Sequence, residues 1–177
     1  MSRFNPERIK GLIRNIPDYP VKGVIFRDLT PLFKDVEAFK VVIEELYNRL
    51  KDKDVDAIAA IEARGFIVGA PLAIKFGAGF VPLRKPGKLP WKKRSITYQL
   101  EYGEEALEVH EDAVSKGMKV LLIDDLLATG GTASSAAKLL EGMGAEVVGM
   151  GFIVELAYLH GRDKISGYEI ESLVVYD

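Results

Sequence analysis

Val120-Leu-Leu-Ile-Asp-Asp-Leu-Leu-Ala-Thr-Gly-Gly-Thr132 is the stretch on which the fold is decided. Lys119 to Ile123 is a short apolar run, as expected of a strand buried on both faces. It delivers two adjacent carboxylates, Asp124 and Asp125, to its end. Thr129-Gly130-Gly131-Thr132 follows after Leu126, Leu127 and Ala128. A helix is expected over Ala133 to Met143, with Ala133, Ala136, Ala137 and Leu140 on one face and Gly142 and Gly144 ending it. Glycines let the backbone curl so that several N–H groups point inward. The N-terminus of the helix adds partial positive charge. Two threonine hydroxyls can donate as well, so the loop can hold a phosphate monoester. Acids beside such a loop would repel phosphate but suit sugar hydroxyls, which donate to carboxylates. The expectation is a ribose 5-phosphate site. Asp124 and Asp125 would take the 2- and 3-hydroxyls, and Thr129 to Thr132 the phosphate. The plainer alternative is a glycine-rich turn with an Asp pair capping a helix. There is no Gly-Lys-Ser/Thr, and no Gly-x-Gly-x-x-Gly, so neither a Walker loop nor a dinucleotide fingerprint is present.

Outward from this segment, strand and helix patterns alternate. Asp56 to Ile61 reads as a buried strand, Gly65 to Phe76 as a helix limited by Pro71, and Phe80 to Leu83 as a second strand. Glu146 to Val154 reads as another buried strand, and Ser172 to Val175 as a last edge strand. Nearer the N-terminus, Asn5 to Ile13 reads as a short capped helix. Val36, Phe39, Ile43, Leu46 and Leu50 recur at helical spacing over Val36 to Lys51. Such alternation implies a parallel sheet with helices on both faces. Ligands then bind beyond the carboxyl ends of the strands. The loops after Ile61, Leu83, Ile123 and Val154 are therefore the candidate site. Arg84 to Gly103 breaks the pattern: it is basic, holds prolines and glycines, and then alternates through Ile96, Tyr98, Leu100 and Tyr102. It reads as a loop running into a hairpin that stands off the sheet.

Composition narrows the classes. The chain has 177 residues, 48% of them hydrophobic and 28% charged, enough for one soluble domain with its own core. Lys plus Arg number 24 against 26 Asp plus Glu, so the net charge of -2 gives no global attraction to nucleic acid or anionic membrane. With no cysteine, disulfides, thiolate metal sites and a cysteine nucleophile are excluded. No run approaches the roughly 18 apolar residues of a membrane span, and Met1 to Pro20 lacks a secretory core. A cytoplasmic location is the expectation. His110 and His160 have no partners at ligand spacing and are read as ordinary residues.

The Val120–Thr132 segment resembles the 5-phosphoribosyl-1-pyrophosphate (PRPP) motif of the type I phosphoribosyltransferases. Three further stretches are similar to the adenine phosphoribosyltransferases: Gly23-Val-Ile-Phe-Arg-Asp28, Glu62-Ala-Arg-Gly-Phe66, and Arg84-Lys-Pro-Gly-Lys-Leu-Pro90 continued by Tyr98-Gln-Leu-Glu-Tyr-Gly103. The likeness runs from about Ile16 to Leu156. Trp91 to Ser95 and the last residues match no family pattern. The resemblance implies a single-domain α/β fold over 1–177, a mostly parallel sheet flanked by helices. An N-terminal hood would span approximately 1–35, and a lid loop and hairpin approximately 84–110.

The same resemblance implies roles. Ala63, Arg64 and Gly65 would form the pyrophosphate loop, where a guanidinium suits phosphate oxygens. Arg84, Lys85 and Lys88 would meet the pyrophosphate and the lid. Ala128, Thr129, Gly130, Gly131 and Thr132 would hold the 5-phosphate. Phe26 would stack on the base, backbone groups of Ile25 and Arg27 would read its edge, and Leu156 would pack on the other face. Glu101 would manage the proton at purine N7 with Tyr102 beside it. Glu101, Arg64, Asp124 and Asp125 are thus the expected catalytic residues. Mg2+ would be held mainly by PRPP, with Asp124 and Asp125 nearby rather than as direct ligands. Adenine and PRPP would be the substrates, AMP and pyrophosphate the products, and a homodimer the assembly, with no nucleic acid or membrane partner. Plainer alternatives stay open for several residues: a surface arginine for Arg64, a core aromatic for Phe26, an exposed strand residue for Glu101. Lys88, Lys92, Lys93 and Arg94 could simply be solvated. The rival functions are transfer to a 6-oxopurine or orotate, where relatives usually carry Glu-Asp before the loop, and a PRPP-sensing regulator. A nucleic-acid module using the basic loop is the third.

Overall fold

A computed structural model of the chain describes residues 3–100 and 103–177. Two compact units divide at Glu45 and Leu46.

In the N-terminal unit, Asn5 caps α1 (Pro6–Gly11) by accepting from the backbone N–H groups of Glu7 and Arg8 at 3.0 and 3.3 Å. Strand β1 (Arg14–Pro17) pairs antiparallel with β2 (Ile25–Asp28), a hairpin that the proline- and glycine-rich sequence between them did not announce. Phe26 meets Tyr19 edge to face with centroids 5.3 Å apart. The Arg27 guanidinium donates to Asn15 Oδ1. Asp28 accepts from the backbone and hydroxyl of Thr30, which opens α2 (Thr30–Lys34). Asp35 then accepts from Glu37 and Ala38 at the start of α3 (Val36–Leu50). The buried stripe of α3 is Ala38, Val42, Ile43, Leu46 and Leu50. Val36, expected on that stripe, is exposed, because it occupies the first turn ahead of the face that Ala38 begins.

The second unit is built on a five-stranded, all-parallel sheet. Its strands are β3 (Ala57–Ile61), β4 (Gly79–Leu83), β7 (Lys119–Leu127), β8 (Glu146–Leu156) and β9 (Ile170–Tyr176). They lie in the order β4-β3-β7-β8-β9. Between β4 and β7, the chain forms a separate antiparallel hairpin of β5 (Lys93–Leu100) and β6 (Gly103–His110). Strand β3 is buried at every position, and its period of two divides its side chains between two layers. Ala57, Ala59 and Ile61 join the cluster that includes Ala133, Ala136, Ala137 and Leu140 of α5 (Gly131–Gly142). Ile58 and Ala60 face α4 (Arg64–Phe76) instead. There Gly69 permits the close approach, since a Cβ would sit 2.6 Å from that of Ala60.

Two sequence expectations change. Strand β7 does not end at Ile123. It runs on through Asp124 and Asp125 to Leu127, because β8 extends alongside it and pairs Leu126 with Val154 and Leu127 with Glu155. The hairpin does form its own sheet, but it does not simply stand away. Tyr98, Leu107 and Val109 are buried in the same cluster as α5, and Arg84 bridges to Glu108. Lys93 and Arg94, read as loop, already belong to β5. Among the described residues, no helix is long and apolar enough to cross a membrane.

Candidate active site

The carboxyl ends of β3 and β7 are neighbours in the sheet, and the site grows from them. After Ile61 the chain turns through a cis Glu62–Ala63 peptide into α4. Gly65 then passes so close to β7 that a Cβ would lie 2.9 Å from Asp124 Oδ1 and 3.2 Å from the Ile123 carbonyl. That approach brings Arg64 to the acids: its Nε lies 2.8 Å from Asp125 Oδ2. The oxygen has no hydrogen-bond partner, so the contact is an ion pair without directed hydrogen-bond geometry. Asp124 Oδ1 accepts from the Asp125 backbone N–H at 2.8 Å. Burial and the neighbouring Asp125 charge push the Asp124 carboxyl well above the usual 3.8 of an aspartate. Burial raises Asp125 too, with Arg64 opposing it.

A cleft of about 190 Å3 opens here, lined by Ala63, Arg64, Lys85, Asp124, Asp125 and Thr132 together with Tyr98 and Glu105. A pocket of about 70 Å3 adjoins it, lined by Asp124, Ala128, Thr129, Gly130 and Thr132 over Phe152. The two share Asp124, Leu126 and Thr132. Gly130 takes a left-handed φ of 75° as the N-cap residue of α5, and Gly131 is the first residue of that helix. The glycine pair thus curls a loop whose N–H groups end at a helix N-terminus. A larger cavity of about 550 Å3 lies between Arg94, Ser95 and Ile96 and the far end of α5, and contains none of these residues. Chemistry, not size, places the site in the smaller cleft.

The basic loop reaches the cleft through Glu62, which heads the Glu62–Phe66 motif but drew no role of its own from the sequence. The Glu62 carboxylate accepts from Arg84 Nε at 2.7 Å and from the Lys85 backbone at 2.8 Å. Burial alone would raise Glu62, but these donors hold it below the usual carboxylate range. Arg84 also donates to the Lys88 carbonyl at 3.2 Å, while the Lys88 side chain is exposed. Lys85 Nζ lies 3.2 Å from Glu105, which accepts from the Tyr98 hydroxyl at 3.1 Å. Tyr98 is pushed up by its burial and by the charges of Glu105 and Asp124. Tyr98 was legible as one member of an alternating strand and as the first residue of a family-like stretch, without a role of its own, and Glu105 carried no signal. Their place is set by the hairpin register, which puts Tyr98 opposite Glu105. Leu156 closes β8 and is buried. Ile25, Phe26 and Arg27 belong to the N-terminal unit, on β2. Glu101 and Tyr102 lie outside the described residues.

The donor set fits a magnesium ion of a particular kind. Asp124 and Asp125 supply hard oxygens, one of them buried without a hydrogen-bond partner. Among the described residues, no group of three or more His, Cys, Asp or Glu could hold a metal. Mg2+ usually keeps several waters and binds through one or two carboxylates plus substrate phosphates. The two acids fit an ion of that habit, one that would be held mainly by substrate phosphates with Asp124 and Asp125 nearby.

Comparison with known proteins agrees with this geometry. Residues 33–175 match the family model described as a phosphoribosyl transferase domain. The adenine phosphoribosyltransferase of Thermotoga maritima is 53% identical over 168 residues, 95% of this chain and 97% of that protein. The crystal structure of adenine phosphoribosyltransferase from Thermoanaerobacter pseudethanolicus superposes with a TM-score of 0.95 at 52% identity, covering 97% of this chain and 100% of that one. The Saccharomyces cerevisiae enzyme, complexed with an imino-altritol bisphosphate and adenine, superposes with a TM-score of 0.88 at 34% identity, covering 96% and 98%. A parallel sheet, a two-acid strand running into a Thr-Gly-Gly-Thr loop, and relatives matched along nearly their whole length converge on one statement: the chain belongs to the phosphoribosyltransferases, in the adenine phosphoribosyltransferase family.

Proposed function

We infer that this chain is an adenine phosphoribosyltransferase, converting adenine and PRPP to AMP and pyrophosphate. The bond from C1 of the ribose to the pyrophosphate oxygen breaks, and pyrophosphate leaves with the electron pair. The N9–C1 bond to adenine forms, and the base gives up a proton. The observation that carries this reading is a pair of cavities that meet at Asp124 and Thr132, one lined by Arg64, Lys85 and Asp125 and the other by Ala128, Thr129 and Gly130. That arrangement matches pyrophosphate, ribose and 5-phosphate along one substrate.

Each part has a physical task. Backbone N–H groups of Ala128 to Thr132 and the start of α5 receive the 5-phosphate. Asp124 and Asp125 accept from the ribose hydroxyls and stabilise positive charge as the C1 bond loosens. Arg64, now paired with Asp125, turns to the pyrophosphate, joined by Arg84, Lys85 and Lys88. Glu62 holds Arg84 and the Lys85 backbone so that the two basic segments move little when substrate binds. Mg2+, bound with the substrate near Asp124 and Asp125, would supply charge neutralisation to the departing pyrophosphate. Adenine as the accepted base is supported by the family and by the yeast relative that was crystallised with it. The base-reading roles of Ile25, Phe26, Arg27, Tyr102 and Leu156, and the proton role of Glu101, complete the proposal as the resemblance implied them.

A cytoplasmic homodimer is part of the same reading. Ile67, Ala70 and Ile74 form an exposed row along α4, which supports a second copy of the chain as partner. Nucleic acid and membrane are not expected partners. The test is a PRPP- and Mg2+-dependent assay with adenine, hypoxanthine, guanine and orotate in parallel. AMP from adenine alone is the expected result. Turnover of another base instead would overturn the base assignment, and PRPP binding without turnover would favour a regulator.

A further inference from the structure

The phosphate loop rests on a segment that none of the motifs includes. Gly161 opens a short 3-10 turn (Gly161–Ile165) after β8. Its backbone lies directly against the loop: a Cβ on Gly161 would collide with the Ala128 carbonyl, and one on Gly130 would collide with the Gly161 carbonyl. Two glycines facing each other thus let two backbones touch where the 5-phosphate is to be held.

Arg162, the next residue, fastens this turn. Its Nε donates to Glu155 Oε1 at 2.6 Å and its Nη2 to Glu155 Oε2 at 2.8 Å, a bidentate pair. Nη1 reaches the Ile170 carbonyl at 3.3 Å, and Nη2 the Ser172 hydroxyl at 3.4 Å, both on β9. The Glu155 side chain is only 7% exposed. Glu155 stands opposite Leu127, the last strand residue before the loop begins. A buried carboxylate beside the root of the loop therefore anchors the turn that backs it. An arginine needed only for packing would not require a bidentate partner at this one position in the sheet.

We propose that Glu155 and Arg162 are positioning residues for the 5-phosphate loop: their ion pair presses Gly161 against Ala128 and Gly130 and so fixes the N–H groups that receive the phosphate. The proposal rests on the assignment of that loop to the 5-phosphate. It separates the two anion sites of the substrate. The pyrophosphate loop at Ala63–Gly65 lies at the end of β3, which β7 separates from β8 in the sheet.

The test is calorimetric titration of the full-length protein with ribose 5-phosphate and, separately, pyrophosphate, with steady-state kinetics alongside. The variants are Arg162→Lys, Glu155→Gln and Gly161→Ala. The expected result is a loss of about ten- to a hundredfold in ribose 5-phosphate affinity, with a matching rise in KM for PRPP. Pyrophosphate affinity and KM for adenine should stay within about twofold of wild type, inside the range of an unperturbed site. Arg162→Lys keeps the charge but loses the fork, and serves if Glu155→Gln does not fold. Gly161→Ala keeps the ion pair and disturbs the contact itself. Variants that bind ribose 5-phosphate as wild type does overturn the positioning role and leave the loop assignment standing. An equal loss of both ligands and of thermal stability also overturns it, because a merely structural defect would do that. Wild-type protein that binds pyrophosphate but not ribose 5-phosphate overturns the loop assignment itself, and the positioning role falls with it.

Discussion

Arg64 and Asp125 meet at 2.8 Å although they stand far apart in the sequence, because β3 and β7 are neighbours and their ends turn the same way. The sequence showed the two acids and the arginine as separate motifs. Their contact was not legible, since it depends on strand order, which no local pattern encodes. The pairing has a consequence for each acid. Asp125 pairs directly with Arg64, whereas Asp124 accepts from a backbone N–H beside a neighbouring carboxylate and feels Arg64 only as a weaker, opposing charge. Asp124→Asn should therefore act mainly on the sugar: one charge-assisted hydrogen bond is worth about 1.5–3 kcal/mol, so KM for PRPP should rise about ten- to a hundredfold. Asp125→Asn should do this and also leave Arg64 without its counter-ion. Pyrophosphate binding measured alone should then be tighter than in wild type, because Arg64 no longer has to leave a carboxylate. Calorimetry with pyrophosphate separates the two variants, and equal pyrophosphate affinity in both would contradict the proposed exchange of Arg64 between partners.

Strand β7 and the β5–β6 hairpin show where pattern reading reaches and where it stops. The apolar run of β7 was legible, but its extension to Leu127 comes from pairing with β8, a property of the neighbour. The hairpin was legible from alternation. Its burial against α5 was not, because Tyr98, Leu107 and Val109 alternate just as the residues of a free ribbon would. Gly69 on α4 was likewise silent until Ala60 appeared beneath it. Gly69→Ala should cost about 1–3 kcal/mol by overpacking, read as a fall in the urea midpoint, whereas Gly11→Ala, where nothing lies within 4 Å, should cost little. The join of β8 to the following turn carries a pH signature. Burial alone would raise Glu155, but the donors Arg162 and Ser172 hold its carboxyl below the ordinary 4.5. A carboxylate with a depressed folded-state value stabilises the protein above the unfolded value, and that contribution is lost as pH falls through the folded one. Glu155→Gln should thus lower stability at neutral pH by about 1–2 kcal/mol, a modest figure because the Arg162 side chain is 45% exposed. The gap between wild type and variant should narrow as pH drops below 4.5. Denaturant midpoints at both ends of that window measure it, and a constant gap would rule the carboxylate out as its source.

For the molecule as a whole, the parallel sheet collects three sequence-distant loops at its carboxyl edge, and this was the most legible feature: the alternation of strand and helix patterns suffices to predict it. What the sequence could not show is which outer faces lack a cover. On α4 the inward face is used by Val68, Gly69, Leu72 and Ala73. Ile67, Ala70 and Ile74 recur at helical spacing on the opposite side, and Ile74 is 85% exposed. A single exposed isoleucine is ordinary, but Ile67 and Ile74 flanking Ala70 along one helix face form a patch, and such patches mark interaction surfaces. A stable dimer covers about 800 Å2 on each partner. Ile74→Lys combined with Ile67→Lys places two charges in that surface at little cost to the folded monomer, since exposed substitutions usually change stability by no more than about 0.5 kcal/mol. Sedimentation should therefore shift from twice the chain mass of 19.5 kDa toward the chain mass itself, while the far-ultraviolet dichroism is unchanged. A wild-type protein that already sediments at the single-chain mass, or a double variant that stays dimeric, would remove this face from the assembly. If the monomer forms and turnover falls with it, the neighbouring subunit contributes to a working site; if turnover persists, each chain carries a complete one, and the dimer serves only to cover the apolar row.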